Sequence, residues 1–237
     1  MLRELLRRVP PVRSRSQPNP LRHYAKFISP GDLVFDIGAN MGTRTAVFLE
    51  LGARVVAVEP QPACVSHLRE RFGDAITIIE GAAGPDRGEA DLLVANYHTL
   101  ASVAPGWVEE VRASGRFAEF VWDRKIRVPM TTLDALIDTY GIPSFCKIDV
   151  EGFELGVLEG LSNPIRALSF EFSHELFASR LRCIELLANL GMTRFNFSEG
   201  ESMRLVSRRW IGPDAMQRFL ESTPRDARFF GDVYAAI

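Results

Sequence analysis

Apolar residues along this chain follow two spacings. Short continuous runs bounded by glycine, Val34 to Ile37 and Val55 to Val58, read as parallel strands buried on both faces. Elsewhere apolar positions recur every three or four residues. Val65, Leu68 and Phe72 predict a helix over 61–72 stopped by Gly73, and Leu133, Leu136 and Ile137 predict another over 133–140, with Thr132 as N-cap and Gly141 past its end. A further helix begins near Gly152, and one over 175–190 carries Leu176, Ile184, Leu187 and Leu190 inward. Strands are predicted at 75–79, 144–150, 165–170, 193–197 and 232–236, with a turn at 81–84. Repeated β-α units of this kind make a twisted, mainly parallel sheet. Residues 88–130 break the rhythm. Two strand-like pieces, 91–95 and 125–128, flank Tyr97, His98, Trp107, Phe117, Phe120 and Trp122, which read either as a lid over a site or as a hairpin with its own buried core.

The first strand, turn and helix carry the chemistry. Asp36-Ile-Gly-Ala-Asn-Met-Gly42 has glycines where the chain turns tightly, but it lacks the G-x-G-x-x-G loop whose helix N-terminus holds a pyrophosphate. A carboxylate two residues before Gly38 repels a pyrophosphate and welcomes an ammonium or a sulfonium. S-adenosylmethionine carries both. Glu59, 21 residues after Gly38 at the end of the next strand, is placed to accept two ribose hydroxyls. A nicotinamide-dependent oxidoreductase is therefore the weaker enzymatic reading, since Asp36 opposes it.

Four motifs in order, Val34-Phe-Asp-Ile-Gly-Ala-Asn-Met-Gly42, Val56-Ala-Val-Glu-Pro60, Val128-Pro-Met-Thr-Thr-Leu-Asp134 and Lys147-Ile-Asp-Val-Glu-Gly-Phe-Glu154, resemble those of the FkbM family of S-adenosylmethionine-dependent methyltransferases. The closing Gly231-Asp-Val-Tyr-Ala235 is similar to the family's last strand. The resemblance implies an α/β, Rossmann-like class I methyltransferase fold: a mainly parallel seven-stranded sheet with antiparallel final strands and an inserted hairpin or lid. It also implies methyl transfer to a hydroxyl oxygen of a carbohydrate or glycosylated small molecule. The cofactor residues expected on this footing are Asp36, Gly38, Asn40, Gly42, Glu59, Pro60, Gly81 and Ala82, with the small residues of 81–84 against the adenine. A catalytically silent cofactor-binding or assembly protein is the reading from a different class.

Strand alternation points Lys147, Asp149 and Glu151 to one side and Ile148 and Val150 to the other, and Glu171 and His174 reach the same sheet edge from the fifth strand. Asp149, His174 and Glu171 are the catalytic candidates, as bases for an acceptor hydroxyl. The alternative is that Lys147 and Asp149 form an internal pair closing the strand end. Asp149, Glu151 and Glu171 also have the oxygen chemistry for a divalent cation, although no zinc-type His or Cys spacing occurs and no metal is assigned. Glu154 reads as a capping or packing partner. The chain has no G-x-S-x-G elbow and no Walker loop.

At 237 residues with 46% hydrophobic content, the chain suits one domain, expected over 25–237 behind a basic extension, 1–24, with the insertion at 88–130. The extension sets Arg3, Arg7, Arg8, Arg13 and Arg15 around Leu2, Leu5 and Leu6. It reads as a targeting segment, a membrane-surface contact or a solvated or docked helix. A net charge of −2 gives no global attraction to nucleic acid, which is not expected as a partner. Three cysteines without a C-x-x-C read as reduced thiols in a cytoplasmic protein, and no apolar run suits an integral membrane segment. The sequence leaves the oligomeric state open.

Overall fold

A computed structural model describes residues 18–96, 100–114, 119–173, 177–223 and 229–237. Most of the basic extension, Tyr97, His98, Phe117 and the catalytic candidate His174 lie outside them. In chain order the elements are α1 (Pro20–Tyr24), β1 (Leu33–Ile37), α2 (Thr43–Glu50), β2 (Arg54–Glu59), α3 (Pro62–Phe72), β3 (Ile76–Glu80), β4 (Ala82–Ala83), β5 (Gly88–Ala95), α4 (Pro105–Ser114), β6 (Trp122–Thr131), α5 (Leu133–Tyr140), β7 (Phe145–Ile148), α6 (Glu154–Glu159), β8 (Ala167–Ser173), α7 (Phe177–Asn189), β9 (Arg194–Glu199), α8 (Pro213–Glu221) and β10 (Phe230–Ala236).

The seven-stranded sheet runs β3-β2-β1-β7-β8-β10-β9. Its strands are parallel except β10, which lies antiparallel between β8 and β9. Strand alternation divides the core. Phe35, Ile37, Val56, Val58, Cys146 and Ile148 pack on one face with α5, α6 and α7, while Val34, Val55, Ala57 and Phe145 pack on the other with α1, α2 and α3. Helix α1 belongs to that second layer: Tyr24 meets Phe48 and Phe145 edge-on, so the packed core includes residues 23 and 24 of the expected extension.

The structure corrects several boundaries. Residues 82 and 83 form strand β4 rather than a turn, pairing in parallel with Met130 and Thr131 of β6. The fourth predicted strand stops at Ile148, before Asp149, because the chain turns with Glu151 at φ 50° and Gly152 at φ 97°. The irregular 88–130 stretch contains an antiparallel β5–β6 hairpin and helix α4. Here Trp107 and Trp122, 3% and 8% exposed, pack edge-on in a local core with Ala95, Leu100, Val108 and Val111, and Trp122 Nε1 donates to Leu100 O at 2.6 Å. Of the two readings of these rings, the hairpin core holds. Helix α8 was not anticipated.

Candidate functional site

From β1 the chain steps outward to β2 and β3 and returns on the other side of β1 as β7. Open α/β sheets place ligands at the carboxyl ends of strands where the order reverses in this way. A pocket of about 360 Å³ lies there, its wall including Asp36, Asn40, Glu59, Ala82, Ser102 and Asp149. Two glycines bring its parts together. Gly38, at φ +83°, leaves room for the Asp149 carbonyl, which a Cβ would approach to 1.8 Å, and Gly42, at φ +74°, lets the turn seat against Leu68 and Phe72 of α3. Their small size is demanded by the protein's own packing, not only by close approach of a ligand as expected from sequence. Asn40 between them sits at φ 50°, a conformation asparagine tolerates better than most residues.

Asp36 is 1% exposed. Its Oδ2 accepts from Thr45 Oγ1 at 2.6 Å, while its Oδ1, equally buried, has no partner among the described residues. Lys147 stands directly across on β7. Burial raises the Asp36 pKa, and the Lys147 ammonium and the Thr45 hydrogen bond oppose that rise. Glu59, 2% exposed, is held by three donors: Asn40 N at 2.7 Å to Oε2, and Gln61 N at 2.9 Å and Gln61 Nε2 at 3.3 Å to Oε1. Burial raises its pKa too, against the hydrogen bonds from Gln61 and Asn40. A carboxylate offers about four lone-pair sites, so an incoming diol needs one of the three donors to yield. The Gln61 amide makes the longest of the three bonds.

On the other side of the pocket, Lys147 Nζ donates to Asp149 Oδ2 at 2.6 Å, an internal pair that leaves Oδ1. Asp149, Glu151 and Glu171 each bring a carboxylate oxygen within 4.8 Å of the others. Burial, followed by the charges of Asp149 and Glu154, pushes the Glu171 pKa well up against the pull of Arg180. Asp232, opposite Glu171 in the sheet, is pushed up to about 6 by burial, with Lys147 opposing and Asp149 adding to the rise. Three neighbouring carboxylates stay together by sharing protons or by sharing a hard cation, and the oxygen-only set suits the latter as well as the former.

Glu154 holds the loop that carries these acids. Its Oε1 accepts from Gly152 N at 3.1 Å and more weakly from Val150 N at 3.4 Å, and its Oε2 accepts from Arg180 Nη1; neither ionic side chain has any exposure. Arg180 was missed in the sequence, although it lies on the inward stripe of α7 between Phe177 and Ile184, where a charge is a signal. Ser102, which donates to Glu151 O at 2.6 Å, and the pair Arg44–Glu201 were missed as well. Neither has a local pattern, because each joins residues distant in sequence.

All eight expected cofactor residues except Gly42 line the pocket, as does Asp149. Glu171 reaches it through the acid cluster. The insertion contributes Leu92 and residues 101–103 rather than its tryptophans. No helix of the described residues is long and apolar enough to cross a membrane.

A family model described as the methyltransferase FkbM domain matches residues 36–193. Hexuronic acid methyltransferase AglP of Haloferax volcanii is 24% identical over 159 residues, which is 66% of this chain and 61% of AglP, so the match spans less than two thirds of that relative. Ribosomal RNA small subunit methyltransferase A of Anaeromyxobacter sp. (strain K) is 47% identical over 53 residues, 22% of this chain and 19% of that protein. Among solved structures, precorrin-6y C5,15-methyltransferase from Geobacter metallireducens GS-15 aligns with a TM-score of 0.48 at 10% identity, covering 92% of this chain and 88% of that one.

Proposed function

The chain belongs to the methyltransferase FkbM domain family, and from that premise we propose that it moves a methyl group from S-adenosylmethionine to a hydroxyl oxygen of a carbohydrate or glycosylated small molecule. The observation that carries the reading is Asp36, whose buried Oδ1 has no partner among the described residues and which lines the same pocket as Glu59 and Asp149. A buried carboxylate oxygen is costly to leave unbonded, and a cationic donor offsets that cost. When bound, the cofactor supplies a methyl carbon made electrophilic by its sulfonium.

The protein's own residues do the rest. Asp36 would hold a positive end of the cofactor, Glu59 its ribose hydroxyls, and Gly81 and Ala82 would bound the adenine. Asp149 would take the acceptor's proton as the O–C bond forms and the sulfur–methyl bond breaks, leaving S-adenosylhomocysteine, and Lys147 fixes the carboxylate's position. Glu171 tunes the charge beside it. Holding the three reacting atoms in line can supply about 7–11 kcal/mol of the barrier, so a single positioned base is enough side-chain chemistry.

A carbohydrate acceptor is supported by what AglP's name says that protein methylates. The test is incubation with methyl-labelled S-adenosylmethionine and a panel of neutral and uronic glycosides. Label that survives mild alkali is an ether and supports hydroxyl transfer; alkali-labile label marks a carboxyl ester and corrects the acceptor atom. Cofactor binding without label in any glycan or extract component supports the silent-protein reading instead.

A further inference from the structure

The pocket contains a second charged group suited to the cofactor's amino-acid end. Arg44, in the first turn of α2, lines it, with an 18% exposed side chain, and so does Glu201 from the loop after β9. The Arg44 guanidinium donates to the Glu201 carboxylate, although Glu201 itself is 68% exposed and 157 positions away in sequence. The two partners are unequal. Glu201 solvates readily when released, whereas Arg44 is mostly covered and needs an anion on its fork. Burial draws the Arg44 pKa down, and the Tyr24 phenol and the Glu201 and Asp232 carboxylates more than reverse this, so the guanidinium stays charged. Asp36, 1% exposed and with an Oδ1 that has no partner among the described residues, lines the same pocket.

An orphan carboxylate oxygen and a guanidinium held by a replaceable carboxylate are the two halves of a receptor for a zwitterionic amino acid. We propose that Arg44 binds the carboxylate of the methionine moiety of S-adenosylmethionine, that Asp36 binds its ammonium, and that Glu201 is an internal surrogate which occupies Arg44 until the cofactor's carboxylate replaces it. No covalent step is involved; one ion pair exchanges for another. This rests on the cofactor reading and adds to it a residue and an exchange. Met203, two residues after Glu201, has φ 51°, so the loop carrying the surrogate turns sharply beside the point of exchange.

The test is titration calorimetry of wild type, Arg44→Gln, Arg44→Lys and Glu201→Gln with S-adenosylhomocysteine, and with 5′-methylthioadenosine, which keeps the nucleoside and thioether but has no amino-acid group. Arg44→Gln should weaken S-adenosylhomocysteine roughly 10- to 100-fold, leave methylthioadenosine within about twofold, and be partly rescued by Arg44→Lys. Glu201→Gln should tighten S-adenosylhomocysteine, because a competitor has been removed. Equal loss of both ligands in Arg44→Gln would mean a distorted pocket and overturn the assignment, as would unchanged S-adenosylhomocysteine affinity with a raised KM for acidic acceptors alone. Weaker binding in Glu201→Gln would overturn the exchange. Failure of the wild type to bind S-adenosylhomocysteine at all is a different result, which defeats the cofactor reading itself.

Discussion

Two groups of carboxylates lie at or beside one pocket and are held in opposite ways. On the β1–β2 side, Asp36 and Glu59 are almost wholly buried and separately tied by the protein's own donors, Thr45 for one and Asn40 and Gln61 for the other. On the β7–β8 side, Asp149, Glu151 and Glu171 crowd within 4.8 Å, with Lys147 bonded to Asp149 and Arg180 opposing the raised pKa of Glu171. Acids fixed one at a time make a template for a ligand of constant shape. Acids that repel one another respond to a proton or a cation, which is what a reacting end requires. Under the proposed function, the difference separates recognition from chemistry within one cavity.

The comparison can be broken most severely from the insertion, which packs against the reacting side. Adding a Cβ to Gly152 would bring it within 2.3 Å of Trp107, so the tryptophan is the wall behind the acid-bearing loop. Trp107→Ala should cost roughly 3–5 kcal/mol of stability. A thermal melt is expected to show a large fall in Tm with no selective change in acceptor KM; a selective KM effect at unchanged Tm would return the tryptophan to a lid.

Next in size is the reacting end itself. Asp149→Asn keeps the shape and removes the charge, so kcat should drop by at least about 10²-fold while S-adenosylhomocysteine affinity stays within a few-fold. Wild-type turnover in this variant would exclude Asp149 as base. Wild-type activity abolished by chelation and restored by magnesium would instead assign the three carboxylates to a cation.

The template side should behave in reverse. Glu59→Ala is expected to weaken S-adenosylhomocysteine by roughly 10–150-fold, the equivalent of about 1.5–3 kcal/mol, with kcat at saturation little changed. Circular dichroism checks that the fold survives, since Asn40 N and Gln61 N lose their acceptor. The smallest effect belongs to the outer face of the hairpin. Arg127 pairs with Glu89 and Asp91 where all three are exposed, so Arg127→Ala should move neither the melt nor the titration measurably.

The template side was legible in sequence because its parts are consecutive. Asp36, Gly38 and Glu59 lie at the ends of two adjacent strands, and strand periodicity alone brings them together. The acids of the reacting side were legible as a possible oxygen-ligand set, but the loop that assembles them was not: Glu151 enters it through a positive φ, and the loop is set by Glu154 and Arg180, whose pairing crosses from α6 to α7. Strand β4 was missed because two residues are too few to show alternation, and it exists only by pairing with β6. Continuous aromatic density in the insertion favours a buried hairpin and a lid equally, and only the packing of Trp107 on Trp122 separates them.

The central claim is that the pocket at the ends of β1 and β2 is built for a charged adenosyl amino acid and not for a dinucleotide. Parallel calorimetric titrations of the wild-type chain with S-adenosylhomocysteine and with NAD test it most directly. Saturable heat is expected with S-adenosylhomocysteine and none with NAD; saturable NAD binding, or no binding of S-adenosylhomocysteine by the folded protein, would overturn the assignment.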